Sequence, residues 1–250
     1  IADRFHLGEC LGRGGFGAVY AAYDPKLDRR VAIKQLVFAR AEGRRADARN
    51  ALVAEARAMA RVTSAHVARV FDIGEADAGV YIVMEYLSGP TLREWLRERR
   101  RSWRQVIDAF EAAGRGLAAA HAVGVAHLDF KPTNVMFDEH DEIRVLDFGI
   151  ARIAAQAVRT ANEDTDEPAH LAGTPAYMSP EQDRAEAAGP ESDQFSFCVA
   201  LFEALFGRLP FQGRNHYALA SARLVELDAD RVREDGRESV PDWLLAVVLR

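Results

Sequence analysis

The chain has 250 residues, a formal net charge of −6, 49% hydrophobic and 28% charged residues, which is the composition of a folded globular chain with one large domain or two lobes. The modest acidity gives no support for a nucleic-acid footprint, and no apolar run reaches the ~18 residues of a spanning helix. Cys10 and Cys198 lie far apart in sequence, which excludes a disulfide framework or a cysteine metal cluster and fits a reducing compartment. The N-terminal IADRFHLGEC is too polar for a signal peptide. The 32 basic residues divide into 29 Arg and three Lys, namely Lys26, Lys34 and Lys131. Arg is the default cation here, so each Lys carries information.

In chain order, Phe5 to Tyr23 reads as strand, Gly-rich turn and strand, and Arg30 to Phe38 as a buried β-branched strand. Arg44 to Val62 has apolar residues at helical spacing, with Leu52, Ala56, Met59 and Ala60 on one face. Val67 to Ile73 and Val80 to Tyr86 read as two further strands joined through Asp77-Ala78-Gly79. Leu87-Ser88-Gly89-Pro90 breaks the pattern, and the chain beyond it is mostly helical. Helices are predicted over Thr91 to about Arg99, Trp103 to Val123 and Ser192 to Phe206, the last apolar nearly all round and therefore buried. Short strands are predicted at Val135 to Phe137 and Ile143 to Leu146, followed by a long irregular stretch from Ala151 to Ser179. There is no internal repeat.

Chemistry concentrates in four places. Leu11-Gly-Arg-Gly-Gly-Phe-Gly-Ala-Val19 carries G-x-G-x-x-G-x-V at Gly12, Gly14, Gly17 and Val19, where missing Cβ atoms let backbone amides approach phosphates. A tight β-turn explains the same glycines, and the strand-like residues that follow argue against a dinucleotide-binding turn, whose glycines open a helix. Val31-Ala-Ile-Lys34 places an ammonium in an apolar strand, a costly location without a partner, and Glu55 on the next helix is one. The alternative is a lysine snorkelling to the strand end. His127-Leu-Asp-Phe-Lys-Pro-Thr-Asn134 brings together Asp129, a proton acceptor, Lys131, a phosphate partner, and Asn134, a metal ligand through its amide oxygen. Asp147-Phe-Gly149 ends an apolar strand, and Asn134 with Asp147 is a ligand pair suited to Mg²⁺ on phosphates.

These motifs, with Ser179-Pro-Glu181 after them, stand in the order and spacing of the protein kinase family, which the chain resembles from about residue 5 to its end. The details resemble bacterial, eukaryotic-type Ser/Thr kinases. The resemblance implies an α+β, two-lobed fold: a small antiparallel-sheet N-lobe with one main helix (residues 1–84), a hinge (85–89) and a larger helical C-lobe (90–250), incomplete at its C-terminal end. It implies ATP and Mg²⁺. Lys34 would hold the α- and β-phosphates and pair with Glu55, Asp129 would be the catalytic base, and Asn134 and Asp147 would bind the metal. Lys131 would touch the γ-phosphate, and Thr174 in Gly173-Thr-Pro-Ala-Tyr177 would reach toward Asp129 and Lys131. The Gly-rich loop (Gly12, Gly14, Gly17) would cover the phosphates. Leu11, Val19, Ala32 and Met136 would sandwich adenine beside the gatekeeper Met84, with backbone groups of Glu85 and Leu87 on its edge. Met59, Val70, His127 and Phe148 match the family's regulatory spine, a reading compatible with ordinary core. Asp193 matches the aspartate that organises the catalytic loop. The implied partners are ATP and protein substrates, with no nucleic acid, no membrane contact from this segment and a homodimer as the oligomeric candidate. The implied location is cytoplasmic, a tether elsewhere in a longer chain being left open.

Three departures stand out. Leu128 replaces the Arg that in many kinases grips an activation-loop phosphate. Ser179 replaces the Ala of A-P-E. The chain stops before the segment where the family carries an Arg for the glutamate of S-P-E, here Glu181, so Glu181 is expected to lack its ion-pair partner. Two other functions remain open at this level: a catalytically inactive binding scaffold, and a small-molecule phosphotransferase sharing the H-x-D-x-x-x-x-N loop. The arginine run from Arg93 to Arg104, six Arg with two Glu, could bind an acid, and a solvated helix surface is the favoured reading.

Overall fold

The computed structural model describes residues 4–14, 17–37, 50, 53–54, 56–76, 79–148, 175–184, 186–210, 240–241 and 243–244. Five strands, β1 (His6–Gly14), β2 (Gly17–Asp24), β3 (Arg29–Val37), β4 (Val70–Ala76) and β5 (Gly79–Glu85), form an antiparallel sheet in the order β1-β2-β3-β5-β4. The period of two along β3 divides its side chains between two cores. Val31 and Ile33 join Phe5, Ala22, Tyr81 and Val83 on one face. Ala32 and Leu36 join Ala56, Val80, Ile82 and Met84 on the other, so the helical residues 56–59 cover that second face. Lys34 shares the second face by register, opposite Val19 on β2 and Ile82 on β5.

The described residues beyond the sheet are mostly helical. They form helices α1 (Leu92–Glu98), α2 (Trp103–His121), the short α3 (Pro180–Asp183) and α4 (Pro190–Phe206) and a hairpin of β6 (Val135–Phe137) and β7 (Ile143–Val145), with α1 against β6 and α2 against β7. The capping boxes Thr91/Glu94 and Ser102/Gln105 set the starts of α1 and α2. Helix α4 starts two residues before its predicted position because Pro190 takes the first turn, where no N–H is needed, and it ends at Gly207 in the left-handed region at φ 70°. It is the central element: Val199, Ala200, Phe202 and Leu205 are buried with Phe110, Ala113 and Leu117 of α2.

The prediction placed β4 at Val67 to Ile73, three residues early at each end. Residues 66–68 are used elsewhere: Val67 bridges Val145 in parallel, the Val145 N–H donates to His66 O at 2.9 Å, and the Ala68 N–H donates to Val145 O at 3.0 Å. This segment therefore ties the approach to β4 directly to β7. Gly79, expected in the turn, is instead the first residue of β5, opposite Ala76.

Candidate active site

Strand β3 holds Lys34 with its side chain 17% exposed, and its Nζ lies 2.8 Å from Asp147 Oδ2. Glu55, the expected partner of Lys34, lies outside the described residues, as do Thr174 and Gly149. The Lys34–Asp147 pair was not anticipated from sequence. Burial by itself raises the Asp147 carboxyl, but Lys34, helped by Lys131, more than offsets this and holds it below the ordinary aspartate value. Asp147 is therefore an anion at neutral pH. Its backbone is left-handed at φ 63°, an uncommon conformation for a non-glycine residue.

Asn134 and Asp147 come to the same end of the β6–β7 hairpin because Val135 pairs with Val145 and the Leu146 N–H donates to Asn134 O at 2.9 Å. Asn134 Nδ2 donates to Asp129 O at 2.8 Å and to Asp129 Oδ2 at 3.2 Å. That assigns the amide nitrogen to the loop and leaves its oxygen as the atom able to ligate a cation. Lys131 Nζ lies 2.7 Å from the same Asp129 Oδ2. One lysine–aspartate pair thus joins β3 to the segment after β7, and the other lies in the loop before β6. Among the described residues no group of three or more metal-ligating side chains exists, so the donor set is the neutral Asn134 oxygen plus the anionic Asp147. That set suits a hard divalent cation shared with phosphates.

The loop bearing Asp129 is held from beneath by Asp193, fully buried in the first turn of α4. Its Oδ2 accepts the His127 N–H at 2.6 Å and contacts His121 Nε2 at 2.7 Å, and its Oδ1 accepts the Leu128 N–H at 2.6 Å. Leu128 itself is buried with φ 60°. The Asp129 N–H donates to His127 Nδ1 at 3.2 Å, so the imidazole proton sits on Nε2 and is donated to Leu146 O at 2.7 Å. Burial lowers the His127 pKa despite Asp193, Asp129 and Asp147 nearby, and the ring is a neutral strut between the Asp129 loop and the strand leading to Asp147. Its ring centroid lies 4.7 Å from that of the fully buried Phe148, the two rings tilted by 42°. Met59, Val70 and Phe148 line one small cavity, which with His127 makes the four expected spine residues contiguous.

Of the residues expected around a purine, Leu11, Val19, Ala32 and Met84 lie on β1, β2, β3 and β5, Leu87 follows β5, and Met136 lies on β6 of the hairpin. Ala32, Met84 and Leu87 are buried, Val19 and Met136 are half-buried, and Leu11 is 46% exposed on β1. Gly12 pairs with Val19 and Gly14 with Gly17 across the hairpin. The glycines differ in what requires them. Gly17 has φ 147°, and a Cβ there would lie 1.8 Å from Gln35 O, so the sheet itself requires this glycine. A Cβ at Gly12 would meet nothing within 4 Å, so nothing in the fold requires that one. The Glu85 N–H donates to Arg69 O at 2.9 Å and its carboxylate accepts the Arg69 N–H at 3.2 Å, which commits both to the lead-in of β4.

The S-P-E segment was expected to tolerate Ser179 as a mild change; it is an N-cap. Ser179 Oγ accepts the Gln182 N–H, while Gln182 Oε1 accepts from the Ser179 N–H and hydroxyl. Gln182 Nε2 then donates to Leu128 O at 2.8 Å, joining this helix to the Asp129 loop. Sequence reasoning missed this link, although the S-x-x-Q spacing is a capping signature. Glu181, expected to lack its ion-pair partner, accepts the Ser192 hydroxyl. Burial pushes its carboxyl up, but this bond and its neighbours bring it below the ordinary value.

The protein kinase domain family matches residues 5–242. The chain is 37% identical over its whole length to the serine/threonine-protein kinase PknB of Mycolicibacterium smegmatis, and the match covers 40% of that protein. It is 35% identical, again over the whole chain and 40% of the relative, to PknB of Mycobacterium tuberculosis. It is 33% identical over 90% of the chain to a probable PknB of Bifidobacterium longum, covering 33% of that protein. The chain belongs to the protein kinase domain family, whose reaction is ATP-dependent phosphorylation of protein hydroxyls. It spans between a third and two fifths of the length of these relatives. No described helix is long and apolar enough to cross a membrane.

Proposed function

We propose that this chain is a catalytic domain that transfers the γ-phosphoryl group of ATP to serine and threonine hydroxyls of protein substrates, with Mg²⁺ as the metal. The observation that carries the reading is the pair of lysine–aspartate contacts, Lys34–Asp147 and Lys131–Asp129, set around the Asn134 amide. Phosphoryl transfer needs little covalent help from a protein; it needs positioned charge and an oriented nucleophile. Asp129, fixed by Asn134, Lys131 and the His127-anchored backbone, accepts the hydrogen bond of the attacking hydroxyl and then its proton. Lys131 faces the charge that develops on the transferred group, and Lys34 holds the phosphates behind it. Mg²⁺ held by Asn134 and Asp147 would supply charge neutralisation across the phosphates. Leu11, Val19, Ala32 and Met136 enclose adenine, the buried Met84 closes the back, and the backbone of Glu85 and Leu87 meets the ring edge. Glu55 and Thr174 keep the roles implied by resemblance: partner of Lys34 and contact to Asp129. The sheet with its helix (1–84), the connector (85–89) and the helical part (90–250) are the working units, a homodimer is the candidate assembly, and the domain works in the cytoplasm.

The test is incubation of the protein with γ-labelled ATP, Mg²⁺ and a mixed protein substrate, followed by phosphoamino-acid analysis. The expected product is phosphoserine and phosphothreonine, absent with Lys34→Met. Phosphotyrosine alone, or label on small molecules and not on protein, contradicts the reading.

A further inference from the structure

One cavity lies apart from the site above. It encloses about 580 Å³, and its wall includes Arg93, Arg97, Arg99, Arg100 and Arg101. From sequence this run reads as a solvated helix surface. In the fold, α1 stops at Glu98, the backbone of Arg99 is extended, and the arginines beyond the helix line the same cavity as Arg93 and Arg97 on it. The arginines are not equivalent. Arg101 is committed to the wall, with Nε donating to Trp95 O at 3.0 Å and its guanidinium 4.1 Å above the Trp95 ring. Arg97 and Arg99 are exposed and have no carboxylate partner among the described residues. Arg93 Nη2 donates to the Tyr177 hydroxyl at 2.7 Å, yet its buried Nε has no hydrogen-bond partner among the described residues. A buried N–H without an acceptor is costly, and an entering anion removes that cost. Glu203, the only carboxylate among the described lining residues, already accepts the Tyr177 hydroxyl.

The position ties the cavity to catalysis. Pro132, three residues after Asp129, lines it, which limits the separation of the two Cα atoms to about 11 Å. Tyr177, which bonds both Arg93 and Glu203, ends the Gly173-Thr-Pro-Ala-Tyr177 segment. An extended peptide covers that distance in about three or four residues. We propose that this cavity selects protein substrates: it receives Asp or Glu side chains flanking the Ser or Thr to be phosphorylated, so that acidic sequences are preferred over basic ones. The proposal rests on the kinase reading and names its substrate class. The chain as a whole is net negative, so the preference comes from this local cluster and not from overall charge.

The experiment has two arms on the same chain. In the first, fluorescein-labelled peptides carrying one Ser flanked by Asp/Glu, by Gln or by Arg are titrated without nucleotide and followed by anisotropy. In the second, kcat/KM is measured for the same peptides with ATP. The acidic peptide is expected to bind best, in a salt-sensitive manner, and the Arg97→Gln/Arg99→Gln variant, altered at two exposed positions, to lose about five- to tenfold of the acidic-over-Gln ratio in both arms. Equal binding of acidic and Gln peptides overturns the proposal. So does a preference that survives the double variant, or acidic binding without a matching preference in kcat/KM. Absence of transfer to every peptide contradicts the kinase reading instead, and the anisotropy arm then still decides whether the cavity takes acids.

Discussion

Single residues in this fold separate structural from chemical requirements. Gly12 and Gly17 belong to one motif, yet only Gly17 has a neighbour that forbids a Cβ. Gly17→Ala is expected to lower unfolding stability by about 2 kcal/mol or more, since it combines a positive φ with a backbone clash. Gly12→Ala is expected to leave the melting temperature unchanged while raising KM for ATP several-fold, because only a bound nucleotide approaches that position. Differential scanning fluorimetry beside steady-state kinetics distinguishes them, and equal loss of stability in both variants contradicts the assignment. His127 gives a second residue-scale test. Burial lowers its pKa, so below its ordinary value of about 6.5 the unfolded chain takes up a proton that the native chain refuses. Its contribution is complete above that pH and falls as the pH drops, by at most about 1.4 kcal/mol per unit. Nitrogen-detected NMR across a pH titration is expected to show His127 taking up its proton below the ordinary histidine value, with the neutral ring protonated on Nε2. Titration near pH 6.5 contradicts the strut.

At the scale of elements, α3 has four residues and depends on its cap. Ser179→Ala, which restores the residue more usual in the family, is expected to cost about 1 kcal/mol in chemical denaturation, because it removes the acceptor for the Gln182 N–H and a donor to the Gln182 side chain. A neutral or stabilising result shows that the cap is not what holds Gln182 toward Leu128. The elements also show where sequence is informative. Strands β2, β3 and β5 and helix α2 follow their hydrophobic patterns, and Asp129, Asn134 and Asp147 stand together because loop and hairpin spacing is local. Strand β4 was displaced because Val67 spends its backbone on Val145, a contact that no local pattern encodes. The Lys34–Asp147 pair was missed for the same reason: it exists only once sheet and hairpin are packed together. The end of the helix at Glu98 and the extended backbone of Arg99 were not legible either, because the arginines continue at helical density past the last turn.

For the molecule as a whole, Leu128 carries the main regulatory consequence. It is buried, and both backbone groups are held, its N–H by Asp193 and its carbonyl by Gln182. The loop is therefore organised without a phosphate-gripping arginine at this position. The segment Asn162-Glu-Asp-Thr-Asp-Glu167 has four acids and no base, so a phosphate on Thr165 adds roughly −1.5 to −2 charge to an acidic run. Thr165→Ala and phosphatase-treated protein are both expected to keep most activity, whereas Thr174→Ala loses most of it. A matched collapse of the dephosphorylated wild type and Thr165→Ala contradicts this view of Leu128.

The two lysine–aspartate pairs draw on both halves of the molecule, and their most direct test removes charge without volume. Single-turnover transfer of the γ-phosphoryl group from ATP to peptide, at saturating Mg²⁺, is compared for wild type, Asp129→Asn and Asp147→Asn, with circular dichroism confirming native folds. The rate is expected to fall on the order of 10³-fold or more for Asp147→Asn, with Asp129→Asn also severely impaired, since charge stabilisation and an oriented nucleophile dominate this chemistry. A folded Asp147→Asn protein that transfers phosphate at the wild-type rate would contradict this expectation.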